Sequence, residues 1–139
     1  MGYVEETGAA QYLRDARILT IYEGTTGIQA ADLVGRKLLR DGGEVIYELI
    51  KQARTDLMQI NPGESDALKV ICTNVSTSLD RLSGATDWIL EAGTQDPRRP
   101  YASSFHYLML WGIVAGGWQM ARAAGVAARH LTTYEGNQD

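Results

Sequence analysis

Glu23 is the residue of this chain whose neighbours most favour chemistry. It follows Ile21 and Tyr22 and precedes Gly24 and Thr25. Burial among apolar groups raises the pKa of a carboxylate and makes it a stronger base, and a glycine lets a ligand or a backbone come close. The sequence therefore suggests a general base in a glycine-flanked loop. The alternative is an ordinary loop with a solvent-facing glutamate, which the spacing alone favours.

A helix should begin directly after this loop. Thr26 and Gln29 have the spacing of a capping box, in which two side chains bond reciprocally to backbone N–H groups. The unpaired N–H groups at the start of such a helix suit an anionic or polarised ligand. The pattern therefore predicts a helix N-terminus just after Glu23.

The bulk composition is that of a mildly acidic chain of single-domain size. Its 139 residues include 13 Lys and Arg against 17 Asp and Glu, a net charge of -4, so no basic nucleic-acid-binding surface is expected. Cys72 is the only cysteine, which excludes a disulfide framework and a thiolate metal cluster. The charged opening, Met1 to Asp15, is unlike a signal peptide, and we expect a cytoplasmic location.

Hydrophobic periodicity predicts an all-α fold of about five helices, an up-and-down helical bundle. Turn residues separate the helices, above all Gly42-Gly43, Asn61-Pro62-Gly63 and Asp96 to Pro100. The predicted helices run from Tyr3 to Ile18, Gly27 to about Arg40, Glu44 to about Ile60, the Ser65 cap to near Gly93, and Tyr101 to Leu131. The polar tail from Thr132 to Asp139 is expected to fray.

The same spacing predicts which residues are buried. On the first helix these are Ala9, Leu13 and Ala16. On the second they are Ile28, Ala31, Val34, Gly35 and Leu38. On the third they are Val45, Ile46, Leu49, Ile50, Ala53 and Leu57. On the fourth they are Leu68, Cys72, Val75, Leu79, Leu82, Thr86 and Ile89, a seam for antiparallel neighbours.

The last helix raises the question of a membrane span, because Pro100 to Ala121 contains no charged residue. Gly112 and Gly116 also form a G-x-x-x-G pattern. Polar and small residues dilute the stretch, and we favour close helix packing in a bundle without a membrane span. Trp111 and Trp118, seven residues apart, should share a face and anchor the core.

Other chemical groups give weaker signals. His106 and His130 lie far apart without acidic or cysteine partners at ligand spacing, so no metal site is expected, and His106 suits the edge of the core. Cys72 is interpreted as a small hydrophobic residue. Arg98 and Arg99 form a solvated pair that could meet a phosphate.

The motifs of the first 43 residues resemble the closing segment of the acyl-CoA dehydrogenase catalytic unit. The matching residues are Gly2-Tyr3, Glu5-Glu6, Gly8, Ala10-Gln11, Arg14 to Ile18, Ile21 to Thr25, Gly27 to Ala30, and Asp32 to Leu38. The second half of this pattern resembles the subgroup similar to methylmercaptopropionyl-CoA dehydrogenase, whose members carry an extra C-terminal helical domain. The resemblance implies that residues 1–43 end the catalytic helical domain and that residues 44–139 form the accessory bundle.

The resemblance also implies a set of site residues. Glu23 is the base that removes the α-proton of an acyl-CoA thioester, and its backbone N–H holds the thioester carbonyl. Tyr22 and Gly24 bind substrate, while Thr25, Thr26 and Gly27 contact FAD. Many relatives have a glutamine where this chain has Gly27, so a side-chain amide contact to the flavin is missing.

The family implies further partners: an acceptor of the electron-transfer flavoprotein type and other copies of the protein in a homo-oligomer. Because family members need an N-terminal helical domain and a middle β-domain, we expect this polypeptide alone to be inactive and to bind FAD weakly. Apolar faces of the first two helices should then be exposed. The alternative function is a non-catalytic helical module for oligomerisation or interaction. The reading frame upstream of Met1 discriminates between the two.

Overall fold

The computed structural model describes residues 4–19, 21, 24–63 and 65–135, with side chains up to residue 131. This part of the chain is helical and contains no strand, which confirms the all-α prediction. The elements are a 3-10 turn (Glu5–Thr7), α1 (Ala9–Ile18), α2 (Thr26–Asp32), a π-helical stretch (Leu33–Leu38), α3 (Leu39–Asp41), α4 (Glu44–Gln59), α5 (Asp66–Gln95) and α6 (Arg98–Glu135).

The core lies between α4, α5 and α6, which pack on one another as an up-and-down bundle. Leu79, Leu82 and Thr86 of α5 and Val114 and Ala121 of α6 are all almost fully buried. The predicted seam of α5 is therefore confirmed except at Cys72, which is half-buried. At the start of α5, Ser65 Oγ accepts a hydrogen bond from the Leu68 N–H at 3.3 Å, as its predicted role as N-cap requires.

A chain of buried hydrogen bonds runs from α6 to α5. The Trp111 indole N–H donates to the Tyr107 hydroxyl at 3.2 Å, and the Thr86 hydroxyl donates to the Leu82 carbonyl at 2.8 Å. Since the Thr86 proton is thus used, the Tyr107 hydroxyl donates to Thr86 Oγ1, 2.7 Å away. Burial raises the pKa of Tyr107, which keeps this hydroxyl protonated. The side chains of Thr86, Tyr107 and Trp111 thus all have hydrogen-bond partners, which favours a single register of α5 against α6.

The helix that follows the Glu23 loop packs across α6 and continues without a break to Asp41. Ala30, Val34 and Leu38, each four residues from the next, are completely buried. The predicted face was wrong at Ile28, which is 69% exposed. A π-helical turn holds more residues than an α-helical turn, so a strict spacing of four stays on one face here.

Two predicted helix starts were wrong. The first helix begins at Ala9 because Gly8, in a left-handed conformation at φ 72°, separates it from the 3-10 turn. The last helix begins at Arg98 and contains Pro100 in its first turn. A proline is tolerated there because the first N–H groups of a helix have no partner within it. The helix also continues past the predicted end to Glu135, and residues 136–139 lie outside the described part.

Several residues predicted to be buried are exposed. Gly112 and Gly116 lie on the outer face of α6, where an added Cβ would meet no atom within 4 Å, so neither serves close helix packing. Leu13 is 56% exposed because α1 packs mainly on the preceding turn. Val45 is 61% and Leu49 38% exposed. Trp118 is buried and Trp111 half-buried against the core, as predicted. In the described part, no helix is long and apolar enough to cross a membrane.

Candidate active site

The candidate site lies in the connection between α1 and α2. Glu23 and Tyr22, the predicted base and acyl-pocket residue, lie outside the described residues, as does Thr20. Gly24, Thr25, Thr26 and Gly27 are described and lie together at the start of α2. The structure thus brings together the predicted cofactor-binding residues and the predicted substrate-binding Gly24.

Two consecutive residues before α2 have left-handed backbone conformations. Gly24 has φ 79°, and Thr25 has φ 52°. Among the described residues, Thr25 is the only non-glycine residue with a positive φ. A β-branched residue in this region costs roughly 1–2 kcal/mol, and such strain clusters at functional sites. α2 begins at Thr26, directly after this left-handed pair.

The capping box predicted here is wrong. Thr25, and not Thr26, is the N-cap of α2, and its side chain makes no capping hydrogen bond. The Thr25 carbonyl accepts from the Gln29 N–H at 2.8 Å, the first hydrogen bond of the helix. Without a side-chain cap, the first N–H groups of the helix face the loop.

The start of α2 is open to solvent. Residues 24–29 are all exposed, and a Cβ added at Gly24 or Gly27 would meet no atom within 4 Å. Ile21, an apolar neighbour of Glu23 in the sequence, and Ile28, predicted to be buried on the second helix, are 65% and 69% exposed. The described part of this chain therefore does not shield the site from water, and another surface must cover these side chains before a base here could be desolvated.

Buried contacts behind the site hold it to the bundle. Ala30 is fully buried one turn after Thr26, and Val34 follows it in the core. Gly35 lies against the Tyr101 ring at the start of α6, where an added Cβ would be 2.4 Å from the Tyr101 hydroxyl oxygen. The outer side of this helix is thus free for a ligand or another domain while its inner side is fixed.

The other candidate groups do not form a second catalytic site. His106 is exposed, with its ring edge-to-face against Phe105 at 5.8 Å, so the prediction that it lies at the core edge is wrong. No group of metal-ligating residues occurs in the described part of the chain. Arg98 pairs with Asp96 at 2.9 Å, which lowers the pKa of that carboxyl, so this guanidinium is engaged within its own loop.

Sequence reasoning missed a pocket between the π-helical stretch, α4 and α6. Its volume is about 540 Å³, within the range of small-molecule sites, about 300–1,000 Å³. Leu33, Leu49 and Trp111 line it, together with Lys37 and Arg40. The sequence did contain a signal for this pocket. Lys37 and Arg40 end the second helix, and the apolar residues Val45 and Leu49 follow the glycine pair and are exposed in the structure.

Comparisons with known protein families give two adjoining matches. Residues 45–139 match the family described as "Acetyl-CoA dehydrogenase C-terminal like". Residues 1–39 match the family described as "Acyl-CoA dehydrogenase, C-terminal domain". Together they include most of the chain, and the resemblance drawn from its motifs is confirmed.

Curated relatives agree with these matches. The chain is 43% identical over 131 residues to 3-methylmercaptopropionyl-CoA dehydrogenase of Ruegeria pomeroyi, an alignment covering 94% of this chain and 22% of that protein. It is 31% identical over 134 residues to the broad-specificity linear acyl-CoA dehydrogenase FadE5 of Mycobacterium tuberculosis, with the same coverage of 94% and 22%. It is also 55% identical over 38 residues to the mitochondrial short-chain specific acyl-CoA dehydrogenase of Rattus norvegicus, an alignment covering 27% of this chain and 9% of that protein.

The chain thus spans about a fifth of the length of the first two relatives, given the 22% coverage of each. No solved structure matches it.

Proposed function

The chain belongs to the acyl-CoA dehydrogenase family, and we propose that it forms the C-terminal part of an FAD-dependent enzyme in which Glu23 is the catalytic base. Two observations support this: the Tyr22 to Thr25 motif in the sequence, and the left-handed Gly24 and Thr25 at the open start of α2 in the described part of the chain. Its relatives are named as acyl-CoA dehydrogenases, which are oxidoreductases. The proposed substrate is an acyl-CoA thioester.

In the proposed reaction the Glu23 carboxylate takes the α-proton of the thioester. The backbone N–H of the same residue donates a hydrogen bond to the thioester carbonyl oxygen, where negative charge develops. Tyr22 lines the acyl pocket, and Gly24 lets the substrate approach the backbone. FAD, when bound, supplies the acceptor for the β-hydrogen as hydride, so the Cα–Cβ bond becomes a double bond.

The exposure and the open surroundings of the residues proposed to contact FAD support this assignment. Thr25, Thr26 and Gly27 lie at an exposed helix start with no side-chain cap, and no described atom fills the space beside Gly27. Uncapped N–H groups at a helix N-terminus attract phosphate oxygens. The hydroxyls of the two threonines add polar contacts. The assignment to FAD rather than another dinucleotide comes from the family, which is generally FAD-dependent.

The same geometry supports the proposal that this polypeptide alone is inactive. Ile21 and Ile28 are exposed, and an α-C–H beside a thioester is so weak an acid that its base must be desolvated while the carbonyl is polarised. We propose that the enclosing surfaces come from a helical domain and a β-domain elsewhere in the longer protein, and that the boundary with the accessory bundle is Gly43. Purified 139-residue chain mixed with FAD and passed through a desalting column should carry no flavin absorbance; retained flavin with turnover would contradict this.

The test of the proposed base is Glu23→Gln in the longer protein that contains this chain. Glutamine keeps the shape and loses the basic oxygen, so turnover should fall by roughly 10²–10⁴-fold while FAD absorbance is retained. Glu91→Gln, an exposed position on α5, is the matched control and should leave turnover unchanged. Equal turnover in the Glu23 variant and the control would place the base elsewhere.

A second candidate function, a non-catalytic oligomerisation module, is favoured by one observation. The outer face of α6 carries exposed Phe105, Met109, Ile113 and Met120 within the stretch from residue 100 to 121 that has no charged residue. We propose homo-oligomerisation in the enzyme as well, with an acceptor of the electron-transfer flavoprotein type and a cytoplasmic location. Light scattering of the 139-residue chain, together with turnover assays of the longer protein, separates the two functions. Oligomers of the chain combined with no turnover of the longer protein would favour the module.

A further inference from the structure

The pocket that sequence reasoning missed lies beside the turn between α3 and α4. The π-helical stretch and α3 supply one wall, the first turns of α4 supply another, and Trp111 of α6 also lines the pocket. Leu33 and Leu49 give it an apolar lining, and its volume is 540 Å³. Small-molecule sites are usually concave, mostly apolar and of this size.

The rim of the pocket carries more positive than negative charge. Arg36, Lys37 and Arg40 contribute three cations, and Asp41 is the one carboxylate among the lining residues. Asp41 is already occupied, since its Oδ1 accepts from the Gly43 N–H at 2.9 Å and its Oδ2 from the Val45 N–H at 3.4 Å.

The cations differ in how they are engaged. Arg36 pairs with Asp32 at 2.8 Å, on the same helix. Lys37 and Arg40 are exposed and have no ion-pair partner among the described residues. In a chain of net charge -4, two such cations beside an apolar lining are complementary to a ligand that is anionic at one end and apolar at the other.

The pocket is too short for a docked helix or a strand. Its walls extend from Leu33 to Asp41 on one side and from Val45 to Leu49 on the other, which at 1.5 Å per residue is about two helical turns and one. Walls of this length suit a small molecule.

We propose that this pocket binds an anionic amphiphile: an unbranched acyl chain lies against Leu33, Leu49 and Trp111, and its carboxylate contacts Lys37 and Arg40. This site is separate from the Glu23 loop and does not depend on the proposed reaction. The Trp111 indole N–H already donates to Tyr107, so the ring meets the ligand as an apolar surface.

Calorimetric titration of the 139-residue chain with monomeric dodecanoate tests the proposal. We expect saturable binding at one site per chain, and binding at least about tenfold weaker for dodecyltrimethylammonium, which has the same tail and the opposite charge. No binding of dodecanoate, or equal binding of both, would overturn the proposal. Binding to phosphatidylglycerol vesicles without binding of dodecanoate would also overturn it, since that result identifies a membrane-surface site.

A matched pair of charge reversals locates the site. The double variant Lys37→Glu/Arg40→Glu should bind dodecanoate at least about tenfold more weakly. The control Lys51→Glu/Arg81→Glu makes the same charge change at exposed positions outside the pocket and should bind as the parent does. Far-UV circular dichroism checks that both remain helical. Equal affinity of the two double variants would contradict the assigned head-group site.

Discussion

The Glu23 loop and the α4–α6 bundle differ in how completely this chain encloses them. In the bundle, Leu82 and Thr86 are fully buried, and in the described part every buried polar side-chain atom has a hydrogen-bond partner. At the loop, Ile21 and Ile28 are exposed and Thr25 holds a strained backbone. The bundle is thus stable through its own contacts, whereas the loop has the form of a site that another surface must complete.

The largest expected difference between the two regions is in the effect of removing a hydrophobic side chain. Leu82→Ala leaves a cavity in the core and should lower the free energy of unfolding by about 3 kcal/mol. Ile28→Ala removes an exposed side chain and should change it by no more than about 0.5 kcal/mol. Urea unfolding followed by circular dichroism measures both. Similar losses at the two positions would mean that Ile28 is covered within this chain.

The buried hydrogen bonds between α5 and α6 should have the next largest effect. Thr86→Val keeps the side-chain shape but leaves the Tyr107 hydroxyl without its acceptor, which should cost about 1–3 kcal/mol of stability. The double variant Thr86→Val/Tyr107→Phe removes both partners of this bond and should recover part of that loss, although the Trp111 N–H then loses its acceptor. Additive losses in urea unfolding would contradict a stabilising hydrogen bond between Thr86 and Tyr107.

A smaller effect should appear at high pH. The hydrogen bond to Asp87 joins α4 to α5 and, with burial, raises the pKa of Tyr47 to about 12 from 10.0. Because the folded state holds the Tyr47 proton more tightly than the unfolded state, this hydrogen bond contributes its full stabilisation below pH 10. The stabilisation is lost as the pH rises towards 12. Solvent screening at this half-exposed site limits it to about 1 kcal/mol. Tyr47→Phe should show a flatter fall in stability over that range than the parent; identical pH profiles would contradict the account.

The smallest expected effect lies in the candidate site. Gly27 is helical and has open space beside it, so Gly27→Ala should leave the isolated chain as stable as before or raise its stability by up to about 1 kcal/mol. In the longer protein the added methyl group should instead weaken FAD retention, because it occupies space proposed for the cofactor. A loss of stability in the isolated chain would show that this face is already packed.

The sequence predicted the elements with strong, regular patterns. The seam of α5 repeats at three and four residues over about six turns and was correct at six of its seven members, with Cys72 half-buried. Ser65 was found because a serine before a periodic run has one common role. Helix periodicity and an N-cap depend on residues that are close together in the chain, so the sequence alone is enough to predict them.

Features that depend on contacts between elements were predicted less well. The buried residues of the second helix, Ala30, Val34 and Leu38, keep a spacing of four into a π-helical stretch, and no periodicity in the sequence signals such a stretch. Gly112 and Gly116 suggested close packing but lie on the outer face of α6. The proposed base was predicted from the family motif, and Glu23 lies outside the residues that the structure describes.

The central claim is that Glu23 removes the α-proton, and proton exchange measures that step directly. In the longer protein, a bound acyl-CoA thioester transferred to D₂O should exchange its α-proton, as observed by NMR, independently of hydride transfer. Glu23→Gln should slow this exchange by at least about 10²-fold, while Glu91→Gln leaves it unchanged. Exchange at the parent rate in the Glu23 variant would show that another group is the base.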